Sequence, residues 1–171
     1  MVFSFNLTLK KALEFLSATN DYHTFPIHGE EHPAVHSEAF IAQYGAAKRS
    51  VVELLNQRYK SLLSPKADLH NWLYHRQDDE IAYFLNEAGS NTINHSDYQA
   101  PACFHLWLGE RGFIIGVEQK GQGFAAEKLR KETVPSESGG SASRFFRSCK
   151  GIIFFDDPES ARIVYYAHTF L

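Results

Sequence analysis

Glu87 and Asn91 stand one helical turn apart, in a segment whose apolar residues Ile81, Phe84, Leu85 and Ala88 recur at steps of three and four. That period predicts a helix over residues 79–96, with the carboxylate and the carboxamide stacked on one face. Side-chain oxygens so placed can ligate Mg²⁺, which takes hard oxygen donors. The segment taken alone also allows both side chains to lie on a solvated face. A second group follows an apolar run ending at Val117: Gln119, Gly121 and Gly123. Glycines at that spacing permit positive φ or close approach of a ligand, and they also suit an ordinary turn after a strand. A third group, Gly139, Gly140 and Ser141, opens an apolar stretch. A glycine-led helix start presents free backbone amides and a positive dipole end to phosphate. Arg144, Arg147, Lys128, Arg130 and Lys131 lie around it as phosphate contacts or as a solvated charge run.

Several elements must hold these residues. Asp78 or Asp79 is placed to cap the helix carrying Glu87. The aromatic and β-branched runs 104–108 and 113–117 flank Gly109-Glu110-Arg111-Gly112, which predicts a hairpin with its second strand in the sheet interior. Residues 152–155 and 162–170 predict a closing hairpin around Asp156-Asp157-Pro158. Between the hairpins, residues 133–140 have the serine, glycine and proline content of a mobile segment. Upstream, residues 3–18 alternate like a strand and then step like a helix, with Asn6 or Thr8 as caps, and read as a packing element. A second helix runs from Pro33 or Ser37 to about Leu63, where Ser64-Pro65 stops it; Lys48, Arg49, Glu53, Arg58 and Lys60 form its wet side. Leu69 to Tyr74 reads as a short helical link. His28, His32 and His36 would share a face on a continuous helix and could bind a transition metal. Pro26, Gly29 and Pro33 argue against that helix, so His23 to His36 reads as a polar loop without a metal.

The totals narrow the classes. A chain of 171 residues with 44% hydrophobic and 22% charged residues fits one soluble domain with a substantial core. A net charge of −3 leaves no basic footprint for nucleic acid. No apolar run approaches the roughly 20 residues that span a bilayer, and the N-terminus does not read as a signal peptide. The two cysteines, Cys103 and Cys149, make no metal-spacing motif, and their low number suits a reducing compartment. The expectation is a cytoplasmic protein without nucleic-acid or membrane partners.

Helix with Glu-x-x-x-Asn, strand with Gly-x-Gly-Phe, short lid, glycine-led helix and terminal hairpin, in that order, resemble the GHKL family of histidine-kinase-like ATPases. Within it the small anti-sigma-factor kinases are most similar. The resemblance covers residues 25–170, with residues 1–24 as an N-terminal extension or first packing element. It implies a two-layer α/β sandwich, a mixed sheet with helices on one face, and a nucleotide cleft between helix and lid. It implies ATP and Mg²⁺ as cofactors, with Asn91 as the metal ligand and Glu87 orienting or deprotonating the attacking group. Asn94 and His95 stand where relatives often carry a basic residue and histidine.

Two departures accompany the resemblance. Gln119 replaces the aspartate that relatives present to the adenine amino group, while Val117, Gly121, Gly123 and Phe124 agree. Gln119 can still accept that bond, without the assistance of charge. Ala142 and Ser143 replace the glycine and leucine usual after Gly139, Gly140 and Ser141. The implied activity is transfer of the γ-phosphate to a serine or threonine of a regulatory protein partner, with a homodimer also compatible. The alternative is a degenerate, non-catalytic GHKL-fold interaction module.

Overall fold

The computed structural model describes residues 2–4, 6–28, 38–63, 66–72, 79–95, 102–119, 121, 123–127 and 149–170. In chain order these form β1 (Val2–Phe3), α1 (Leu9–Leu16), β2 (Tyr22–Ile27) and α2 (Glu38–Arg58). A 3₁₀ turn, Leu69–Trp72, precedes α3 (Glu80–His95). Four strands complete the chain: β3 (Ala102–Leu108), β4 (Gly112–Glu118), β5 (Ile152–Phe155) and β6 (Ile163–Thr169). They build one sheet in the order β1-β5-β6-β4-β3-β2, antiparallel throughout except for the parallel pair β1–β5. The protein is a mixed α/β fold.

Alternation along the strands sorts side chains onto two faces. Phe104, Leu106, Phe113, Ile115, Val117, Ile153 and Tyr166 meet Tyr44, Val51, Leu55, Phe84 and Leu85 of α2 and α3 in the larger core. Trp107, Ile114, Phe154, Tyr165 and Ala167 point the other way and are covered by Ala12, Leu16 and Ala18. The expected placement of helices on one face therefore holds for α2 and α3, whereas α1 covers part of the opposite face. Thr8 accepts a hydrogen bond from the Lys11 amide and caps α1. Residues 2–4 and 6–24 are thus part of the sheet and its packing, and β2 runs across the expected boundary between residues 24 and 25.

His23 lies in β2 rather than in a loop. The partner strand supplies what the local sequence lacks, because Tyr22 to Ile27 pairs residue for residue with Trp107 to Ala102. Pro26 is tolerated because β2 is an edge strand, where a missing amide donor costs no ladder bond on the open side. His32 and His36 lie outside the described residues.

Three polar side chains lock the elements together. The buried Tyr59 hydroxyl lies 2.8 Å from the Gly109 carbonyl and 2.9 Å from that of Gly112, and accepts from the Gly109 amide at 2.9 Å. It clamps the β3–β4 turn beneath α2, and burial raises its pKa. Asp79 caps α3 by accepting from the Ala82 amide at 3.1 Å, and its other oxygen accepts from the Asp68 amide at 2.7 Å. Glu80, in the first turn of α3, accepts from the Lys150 and Gly151 amides and from the Tyr166 hydroxyl at 2.9 Å. This single carboxylate fastens the start of α3 to the entry of β5 and to β6.

Candidate functional site

The site expected from the sequence is built on α3 and on the segment leaving β4. With Asp79 fixing its start, α3 packs on α2 and β4 and turns Ile81, Phe84, Leu85 and Ala88 into the core. Glu87 is drawn inward with them and retains only 6% exposure. The solvated placement that the segment alone allows for Glu87 is therefore not adopted. Asn91 follows one turn later on the same helix. Lys48, expected on the wet side of α2, instead reaches α3 and donates to the Asn86 side chain at 2.9 Å. Burial, with help from Arg49, lowers its pKa.

Beyond β4 the chain is held against the β5–β6 connection. The Gln119 amide donates to the Arg162 carbonyl at 2.9 Å, and Phe124 and Ala161 exchange both backbone bonds at 3.0 and 2.9 Å. Gln119 itself is 8% exposed. Gly121 has φ 142°, a conformation that a side chain would strain. Gly123 has a different reason to be glycine: a Cβ there would stand 2.5 Å from the Ser160 carbonyl oxygen. The close approach at this second glycine is made by the protein's own backbone. Gly139, Gly140 and Ser141, with Ala142, Ser143, the arginines 144 and 147 and the lid cations, lie outside the described residues.

Glu87 and Gln119 share one property. Among the described residues they are the two buried polar or charged side chains outside the Tyr and Trp class. Burying a carboxylate or an amide is costly unless it has partners, which marks such positions as candidates for a functional site.

The opposite sheet face carries a group of residues for which the sequence reading had no role. In the β3–β4 register Cys103 pairs with Glu118, and His105 lies two residues along on the same face. Tyr22 and Trp107 stack beside His105, with ring centroids 6.0 and 5.6 Å from its own. Burial, followed by the nearby Cys103 and Glu118, raises the Tyr22 pKa. The signal in the sequence is faint: Cys-x-His in a strand, facing a Glu in the next one. Comparison with protein-family models gives no match, and comparison with curated proteins gives none either.

Proposed function

We propose that the chain is an Mg²⁺-ATP-binding regulator of GHKL type, similar to the anti-sigma-factor kinases. The observation that carries this reading is the burial of Glu87 and Gln119. Among the described residues, the two buried polar side chains outside the Tyr and Trp class are those to which the resemblance assigns the catalytic carboxylate and the adenine contact. In this reading Gln119 accepts from the adenine amino group, and Gly121 gives the backbone the conformation of the turn beyond it. Asn91 is the residue that would hold Mg²⁺ through its side-chain oxygen, and the ion would supply neutralisation of phosphate charge. Glu87 accepts the proton of the attacking serine or threonine hydroxyl of the partner protein. Positioning and charge neutralisation then account for most of the catalysis such a site can give. A reducing, cytoplasmic setting accords with two free thiols. Among the described residues no helix is long and apolar enough to cross a membrane.

A second reading, a non-catalytic GHKL-fold interaction module, is favoured by Gly123, whose open side is filled by Ser160 rather than left for a ligand. Calorimetric titration with ATP, with and without Mg²⁺, separates the two. The first reading expects binding that strengthens with Mg²⁺, and expects Asn91→Ala to remove that strengthening while thermal stability stays within about 0.5 kcal/mol. Absence of nucleotide binding in both proteins supports the interaction module.

A further inference from the structure

We propose that Cys103, His105 and Glu118 form a Zn²⁺ site on the sheet face opposite α2 and α3. The three donor atoms lie within 4.8 Å of one another. His105 Nε2 is 2.8 Å from Glu118 Oε2, and the two side chains keep only 12% and 18% exposure. A tetrahedral Zn²⁺ with bonds of about 2.0–2.3 Å needs its ligands roughly 3.3–3.6 Å apart. The pair at 2.8 Å opens slightly and the thiol closes in, adjustments that side-chain rotation can supply. One thiolate, one imidazole and one carboxylate are a donor set suited to Zn²⁺, with a fourth position left for water.

The surroundings are those of a supported ligand. The Tyr22 hydroxyl lies 2.7 Å from His105 Nδ1, the ring nitrogen turned away from Glu118. With the proton on Nδ1 donated to Tyr22, Nε2 is free to bind metal, the arrangement that orients most ligating histidines. The imidazole sits beside the Tyr22 and Trp107 rings, which stack on each other at 4.9 Å, and lies nearly parallel to both, at interplanar angles of 5° and 14°. Beside it, a Cβ at Gly116 would stand 3.3 Å from His105 Cβ and 3.2 Å from the Tyr165 ring. A larger residue there would crowd the imidazole. On binding, the Cys103 thiol gives up its 3.3 Å bond to the Phe104 carbonyl and releases its proton to solvent. Thiolate and carboxylate together balance the two charges of the ion.

The site shares no residue with the nucleotide reading and is tested without nucleotide. The untagged full chain is titrated with Co²⁺, whose thiolate charge-transfer absorption reports sulfur ligation, and then with Zn²⁺. The expected result is saturation at about one Co²⁺ per chain, displacement by Zn²⁺, loss of the band in Cys103→Ser and its retention in Cys149→Ser. Glu118→Gln and Tyr22→Phe should weaken Zn²⁺ binding by at least about tenfold. Circular dichroism on each variant separates lost ligation from lost folding. If Cys103→Ser does not fold, the unsubstituted chain supplies the test: Zn²⁺ should slow alkylation of Cys103 at least tenfold. A band surviving in folded Cys103→Ser, no stoichiometric binding, or alkylation of Cys103 unchanged by Zn²⁺ would overturn the proposal.

Discussion

In the proposed nucleotide reading, Gln119 is the side chain that separates an active site from an inactive one. Its carboxamide offers an acceptor without charge, and a neutral hydrogen bond contributes about 0.5–1.5 kcal/mol net, against about 1.5–3 for a charged one. Gln119→Asp should therefore tighten ATP binding about tenfold, the equivalent of 1.4 kcal/mol. The position is buried, so the new carboxylate should also lower the melting temperature of the nucleotide-free protein. Calorimetry and thermal unfolding of the same variant read both effects. Destabilisation with no gain in affinity would favour the interaction module. Cys149 shows how environment alone sets reactivity. Burial, with Glu80 adding to it, pushes its thiol up to about 11, and the half-exposed Cys103 should be the thiol that alkylates in the native protein.

At the scale of elements, polar locks fix what the apolar core leaves adjustable. A sheet packed on helices can slide by small amounts at little cost, whereas a buried hydroxyl shared by three backbone groups cannot. Tyr59→Phe removes the clamp on Gly109 and Gly112 and takes a donor from the buried Gly109 carbonyl, while the Gly109 amide still bonds the Gly112 carbonyl. It should cost about 1–3 kcal/mol, or about 2–4 °C of Tm per kcal/mol, with little change in ligand binding. Glu80→Ala breaks three contacts that join α3 to β5 and β6. A loss of about 2–4 kcal/mol is expected, since charged acceptors are involved. Because α3 carries Glu87 and Asn91, the nucleotide reading expects this variant also to weaken ATP binding, and denaturant unfolding beside ATP titration tests the pair of effects. A stable Glu80→Ala protein would mean that the core alone holds α3 in place.

For the whole molecule, pH dependence is the accessible readout. His168 stacks on Phe113 with centroids 5.0 Å apart, and its Nδ1 is 3.1 Å from the Tyr166 hydroxyl, which donates to Glu80. Burial holds its pKa below the usual 6.5, although Glu80 pulls the other way. The unfolded chain therefore takes up this proton first as pH falls. Stability should decline as pH drops below about 6.5 and level off below the lower folded-state value. His168→Asn, which keeps a donor towards Tyr166, should flatten that decline. Parallel melting curves from pH 5 to 8 test the difference, and identical pH slopes would remove His168 as its source.

Local chemistry writes α3, an aspartate cap at Asp78 or Asp79 and the two antiparallel hairpins plainly into the chain, because periodicity, capping and glycine-flanked β-branched runs act over a few residues; the structure selects Asp79. The edge strand β2 is not legible in this way. Its six residues carry a proline and alternate weakly, and they become a strand only because β3 offers a partner about 80 residues away. For β1, beside the segment whose alternation suggests a strand, the tertiary structure decides the partner, β5 from the far end of the chain. The i, i+4 spacing of Glu87 and Asn91 puts them on one face, but the width of the face that packing covers determines that Glu87 is buried. The Cys103, His105 and Glu118 group is still further from legibility. Strand alternation places Cys103 and His105 together, whereas the approach of Glu118 depends on the hairpin register, and a one-residue slip would turn it to the other side of the sheet.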